Sequence, residues 1–119
     1  MRTKLNALEV AAYQRLEGVS AVFPARIMLT RETDVEVTVP KGFAVVAKSG
    51  VEARLMNDVV FFPGSIVVSG VFEVVKPSGL QGNGLWLVWD PITSLPFVAG
   101  VRQEEISSGG NDPESDKVL

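Results

Sequence analysis

Apolar residues along the chain keep two different periods, and the change falls at Gly18. From Lys4 to Glu17, Leu5, Leu8, Ala12 and Leu16 recur at spacings of three and four, the stripe of one amphipathic helix. Thr3 can cap its start and Gly18 can close it in the left-handed conformation. The stripe is narrow and weakened by alanine, so this helix is marginal alone and has to dock on something. Beyond Gly18 the period is two. In DVEVTV (Asp34 to Val39), Val35, Val37 and Val39 face one way and Glu36 and Thr38 the other, a half-buried strand. Pro40-Lys41-Gly42 breaks it, FAVVAK (Phe43 to Lys48) begins another, and Ser49-Gly50 turns the chain into VEARLM, where Val51, Ala53 and Leu55 alternate with Glu52 and Arg54. Asn57-Asp58 is the next turn, and two adjacent hairpins are the simplest arrangement.

The next segment, VVFFPGSIVVSGVFEVV (Val59 to Val75), carries a single charge, Glu73. A membrane-spanning helix needs about 20 apolar residues, whereas Pro63-Gly64-Ser65 and Ser69-Gly70 cut this run into VVFF, SIVV and VFEVV. Those pieces have the length and the β-branched and aromatic bias of strands. VVFF and SIVV lack alternation, so both of their faces should be covered. PSGLQGNG (Pro77 to Gly84) reads as a loop with Asn83-Gly84 as its turn pair, Leu85 to Trp89 as a strand ended by Asp90-Pro91, and Phe97 to Gln103 as a last strand. SSGGNDPESDKVL is composed like a disordered tail. The fold class that follows is mainly β: a small antiparallel β-sandwich or barrel of about seven or eight strands, with one N-terminal α-helix and an extended C-terminal arm. The divisions are 1–18 for the helix, 19–106 for the β domain and 107–119 for the polar acidic tail.

Composition narrows function mainly by exclusion. A net charge of −3 offers no basic footprint for a nucleic acid. Cysteine and histidine are both absent, which removes thiolate chemistry, Cys-based metal sites, the usual general base and the commonest metal ligand. No cofactor or metal is expected. Glu9, Gln14, Arg15 and Glu17 stand where a signal peptide would need an apolar run, so synthesis and folding in the cytoplasm are expected, with no membrane partner.

Five groups of residues carry candidate chemistry. Asn111, Asp112, Glu114 and Asp116 place oxygen ligands after Gly109-Gly110, faintly like a calcium loop, but the bend glycine and distal glutamate of that motif are missing and a solvated tail is the plainer reading. Gly79, Gly82 and Gly84 could suggest a phosphate cradle, yet a strand rather than a helix follows and no lysine does, so a plain loop is favoured. Asp34, Asp58 and Asp90 sit at strand ends, where aspartate is more often a turn-former than half of a glycosidase pair. Arg26, Arg31 and Arg54 read as surface ion-pair partners. Trp86 and Trp89 lie three apart, so a strand turns them to opposite sides. Packing of both inside is the plainer reading; an outward one would serve as a stacking platform or an interface anchor.

A histidine-free, cysteine-free β domain with a short helix, Val-rich strands and an acidic arm resembles the small structural proteins of tailed-phage virions. In that class decoration or cement proteins clamp capsid subunits, and neck and tail adaptors form rings. The resemblance implies a non-enzymatic virion component, made in the host cytoplasm, whose partners are other protein subunits in a homo-oligomer or larger assembly. The contact residues it suggests are Leu5, Leu8 and Leu16 of the helix, Phe61, Phe62, Val67 and Phe72 of the apolar segment, Trp86 and Trp89, and Val118 and Leu119 of the arm. Pairing at a strand edge would add affinity. The rival is a ligand-binding β-barrel, carbohydrate-directed or cupin-like; Val60 to Val75 resembles a cupin's Gly-punctuated strands, but that family's metal-binding histidines have no counterpart here.

Overall fold

The computed structural model describes residues 18–112. The helix expected over Lys4 to Glu17 and the arm beyond Asp112 lie outside the described residues. Within them the chain is mainly β. Strands β1 (Val22–Leu29), β3 (Ala44–Val46), β4 (Glu52–Leu55), β6 (Val67–Lys76), β7 (Val88–Pro91) and β8 (Val98–Gln103) close a barrel in the order β1-β6-β4-β3-β7-β8. Every pairing is antiparallel, and β8 returns to β1. Closure leaves the barrel without a free edge for another chain to extend. Strands β2 (Val37–Val39) and β5 (Val59–Phe61) form a separate two-stranded ribbon.

Sequence punctuation misleads at one strand. Ser69-Gly70 was expected to end a strand, yet β6 runs straight through it from Val67 to Lys76. The reason for glycine is space: a Cβ at Gly70 would stand 2.9 Å from Val59 Cγ2 and 3.0 Å from Leu55 Cδ1. Gly70 is thus a close approach between β6 and its neighbours, not a turn. Strand β1 carries Pro24 in its interior. Proline is tolerated there because β8 has just ended beside it. The neighbouring chain asks only for the Pro24 carbonyl, which accepts from the Glu104 N–H at 2.9 Å.

The expected pair of adjacent hairpins is replaced by a nested one. β3 and β4 do pair as a hairpin, but β2 pairs with β5 around the outside of it, Val37 opposite Phe61 and Val39 opposite Val59. The break at Pro40-Lys41-Gly42 redirects the chain without reversing it. Gly42 takes φ +91°, its N–H donates to the Leu55 carbonyl, and Asp58 Oδ1 accepts the Lys41 N–H at 2.7 Å. Val35, expected on the buried side with Val37 and Val39, lies before the strand starts and is exposed.

The interior is filled by side chains. Phe23, Phe43, Phe61 and Phe72 are fully buried together with Ile27, Leu55, Val39, Val45 and Val74. Three rings stack through its centre: Phe72 on Phe23 with centroids 5.6 Å apart, and Phe23 on Trp89 at 5.0 Å. The ribbon contributes Val39, Val59 and Phe61 to this same core.

Composition reads the stretch from Ser107 as tail, but its first residues are built into the fold. Ser108 pairs with Val22 and Asn111 with Val19, so this stretch follows β1 back toward its start. Ser107 is buried; its hydroxyl donates to the Gly82 carbonyl and accepts the Leu85 N–H. Asn83 bonds Gly110 twice, its amide nitrogen donating to the carbonyl at 2.9 Å and its oxygen accepting the N–H at 2.8 Å. Backbone polar groups that a solvated tail would give to water are therefore satisfied inside the protein.

Candidate functional site

From Leu85 to Asp90 exposure alternates residue by residue, with Leu85, Leu87 and Trp89 turned toward the core and Trp86, Val88 and Asp90 turned out. Only the second half of this stretch is in a strand ladder. Before Val88 the place of the partner strand is taken largely by the Gln103 side chain, with Ser107 also bonding Leu85. Its Oε1 accepts the Leu87 N–H at 3.0 Å and the Trp89 indole N–H at 2.9 Å, while its Nε2 donates to the Leu85 and Glu105 carbonyls at 2.6 and 2.8 Å. A primary amide has two donors and two acceptor positions, and here all four are used. Gln103 is buried, so these bonds form away from competing water.

That staple fixes Trp86. Its neighbours Leu85 and Leu87 are held on both sides by the Gln103 amide and packed against the core, so the indole between them has to project outward. Trp86 is 59% exposed and Val88, two residues on, 84% exposed, whereas Trp89 is 3% exposed. The two tryptophans lie on opposite sides of the strand, and packing of both inside does not occur.

The outer wall around Trp86 follows from strand register. Outward from β7, Val88 stands opposite Arg102 on β8, Arg102 opposite Arg26 on β1, and Arg26 opposite Ser69 on β6. The next outward row pairs Met28 with Val67. Arg26, Trp86, Arg102, Gln103 and Glu104 line an open groove of about 350 Å³. Two arginines directly across from each other repel. Glu104 relieves one of them: its carboxylate accepts Arg26 Nε–H at 2.9 Å and the Ser69 hydroxyl at 3.0 Å. Arg102 makes no ion pair among the described residues.

The Arg26 guanidinium first, and the Ser69 hydroxyl second, hold the Glu104 carboxyl below the usual carboxylate range, with partial desolvation opposing them. A carboxyl whose pKa is lowered by folding contributes stability above its unfolded value, and that contribution is lost as pH falls through the folded value. Thermal midpoints of the native chain and of Glu104→Gln should differ near pH 7. They should converge as pH drops below the ordinary carboxylate value of 4.5. A gap that persists undiminished far below that value would mean the carboxylate does not act through its charge.

Residues expected at contacts part into three groups. Phe61, Phe72 and Trp89 are packed in the chain's own core and cannot meet a partner while the barrel is intact. Phe62, Val67 and Trp86 are exposed, the latter two on the wall just described. Leu5, Leu8, Leu16, Val118 and Leu119 lie outside the described residues. Sequence reading missed Gln103, Arg102 and Glu104; a polar residue at an inward position of the last strand, with arginine and glutamate flanking it outward, was the available signal.

Two of the other candidates take structural roles. The Asp112 carboxylate accepts the Leu80 N–H at 2.9 Å, so a backbone amide of the Gly79–Gly82 3₁₀ turn that could meet a phosphate is already taken. Asp58 serves the Pro40–Gly42 turn. Among the described residues no group of three or more acidic side chains converges as a metal site would require, and no helix is long and apolar enough to cross a membrane. Comparison of the sequence with protein-family models and with curated proteins finds no match.

Proposed function

We propose that this chain is a non-enzymatic assembly protein that binds other protein subunits through the Trp86 wall, the kind of role that structural subunits of tailed-phage virions fill. One observation carries the reading: a tryptophan is fixed in solvent by a buried, fully bonded glutamine. An indole left in water forgoes a large burial energy. A fold that invests a buried side chain in holding it there has pre-organised an anchor, and rigid tryptophans are the residues most often found at interface hot spots. The stacked rings filling the barrel centre support this reading over a ligand held inside the barrel.

Sedimentation velocity over a concentration series tests it. The native chain, alone or with proteins encoded beside it, should form a complex whose dissociation constant rises about thirtyfold in Trp86→Ser, a hot-spot loss. The thermal midpoint of that variant should stay within a few degrees, as for other surface substitutions. A chain that stays monomeric with every partner, yet shows saturable fluorescence quenching with a sugar, would replace assembly by carbohydrate binding in the same groove.

A further inference from the structure

We propose that the groove at Arg102 and Trp86 receives the acidic arm of a second copy of this chain, the segment from Pro113 to Leu119, with Glu114 and Asp116 placed on Arg102. The inference rests on the assembly reading and names its partner. Its first ground is desolvation. Any surface that covers Trp86 and Val88 also removes water from Arg102, which stands directly opposite Val88. Burying a guanidinium without a counter-charge is strongly unfavourable, so the partner has to bring a carboxylate to that spot.

The second ground is the charge pattern of the wall. Arg102 also faces Arg26, and Glu104, the one acid lining the groove among the described residues, is bonded to Arg26. An incoming carboxylate offsets the remaining positive charge and relieves the cross-strand repulsion together.

The third ground is where the arm leaves the fold. Register places Arg102 beside Arg26, Ser108 beside Val22 and Asn111 beside Val19. The chain has thus travelled about 23 Å along β1, away from its own Arg102, by the time it reaches the arm. Asp116 lies four residues past Asp112, a reach of at most about 14 Å. To meet its own Arg102 the arm would have to double back along the strand it has just followed. A neighbour's arm meets the groove from outside without that reversal, and each copy offers one groove and one arm, a head-to-tail contact.

Charge reversal on the full chain tests this. Arg102→Glu should weaken self-association roughly tenfold or more, and so should Glu114→Lys combined with Asp116→Lys. All three changes in one chain should restore it. An equal mixture of the groove variant and the arm variant should associate like the native chain, since each variant's arm is complementary to the other's groove. If the arm variant associates like the native chain while Trp86→Ser does not, the arm is not the occupant, and the assembly reading survives without it. If the native chain is monomeric at every concentration, a synthetic peptide of Asn111 to Leu119 titrated into it settles the groove separately. A saturable, salt-sensitive change in tryptophan fluorescence that Arg102→Glu abolishes supports the site, and no change overturns it.

Discussion

Replacing Gln103 by leucine should cost about 3 kcal/mol of folding stability and lower the thermal midpoint by roughly 10–20 °C, although the side chains are similar in size. The loss comes from donors left without acceptors. The Trp89 indole N–H and the Leu87 N–H both bond the Gln103 amide oxygen, and leucine offers neither an alternative. Each buried donor stranded this way costs about 1–3 kcal/mol. The acceptor side suffers less, because the Leu85 carbonyl keeps a second donor in the Ser107 N–H at 3.1 Å. The variant should also associate poorly, since Leu85 to Leu87 lose the strut that aims Trp86. Differential scanning calorimetry and sedimentation of the same sample read both effects. A midpoint within a degree or two of the native chain would show that the amide bonds are not what holds this segment.

Phe23→Ala should be more damaging still, at about 3–5 kcal/mol, the usual range for deleting a large core aromatic. Phe23 is the middle ring of the stack, so its removal breaks contact with both Phe72 and Trp89. The cavity it leaves lies where the main barrel sheet is tied together, and backbone pairing of β1 on both sides restricts collapse into it. Phe62→Ala supplies the contrast. That ring is 62% exposed, so the change should fall within about 0.5 kcal/mol. Chemical denaturation of the two variants compares them directly, and equal costs would contradict the division of the phenylalanines into core and surface.

Much of the β architecture is legible in local pattern, and the failures have specific causes. Alternation in VEARLM reports which side of a strand meets the core, because burial of one face is a local consequence of the pleat. Pairing partners are not local. Nothing in DVEVTV says that it skips the next two strands to pair with Val59 to Phe61, since that choice is made by closure of the barrel over the β3–β4 hairpin. Gly70 misleads for a related reason: it carries the statistical signature of a break, yet the Val59 and Leu55 side chains packed beside it explain why glycine stands there. For the site, the tryptophan spacing predicts opposite faces but not which face is outside. That is decided by Gln103, whose role as a substitute for a strand is invisible without the fold. The stretch from Ser107 to Asp112 reads as tail because its composition is polar and Gly-rich, and composition is blind to backbone bridges such as those at Val19 and Val22.

On the proposed reading, Trp86 is held outward so that another subunit can cover it. The chain has two tryptophans, so fluorine NMR of protein labelled with 5-fluorotryptophan gives one resonance from each, assigned by the signal missing in Trp86→Phe. As concentration or partner is raised, the Trp86 resonance should move or broaden and lose its sensitivity to exchanging water for heavy water, while the Trp89 resonance stays in place. Growth in particle mass with the Trp86 resonance unmoved and still solvent-sensitive would contradict the account.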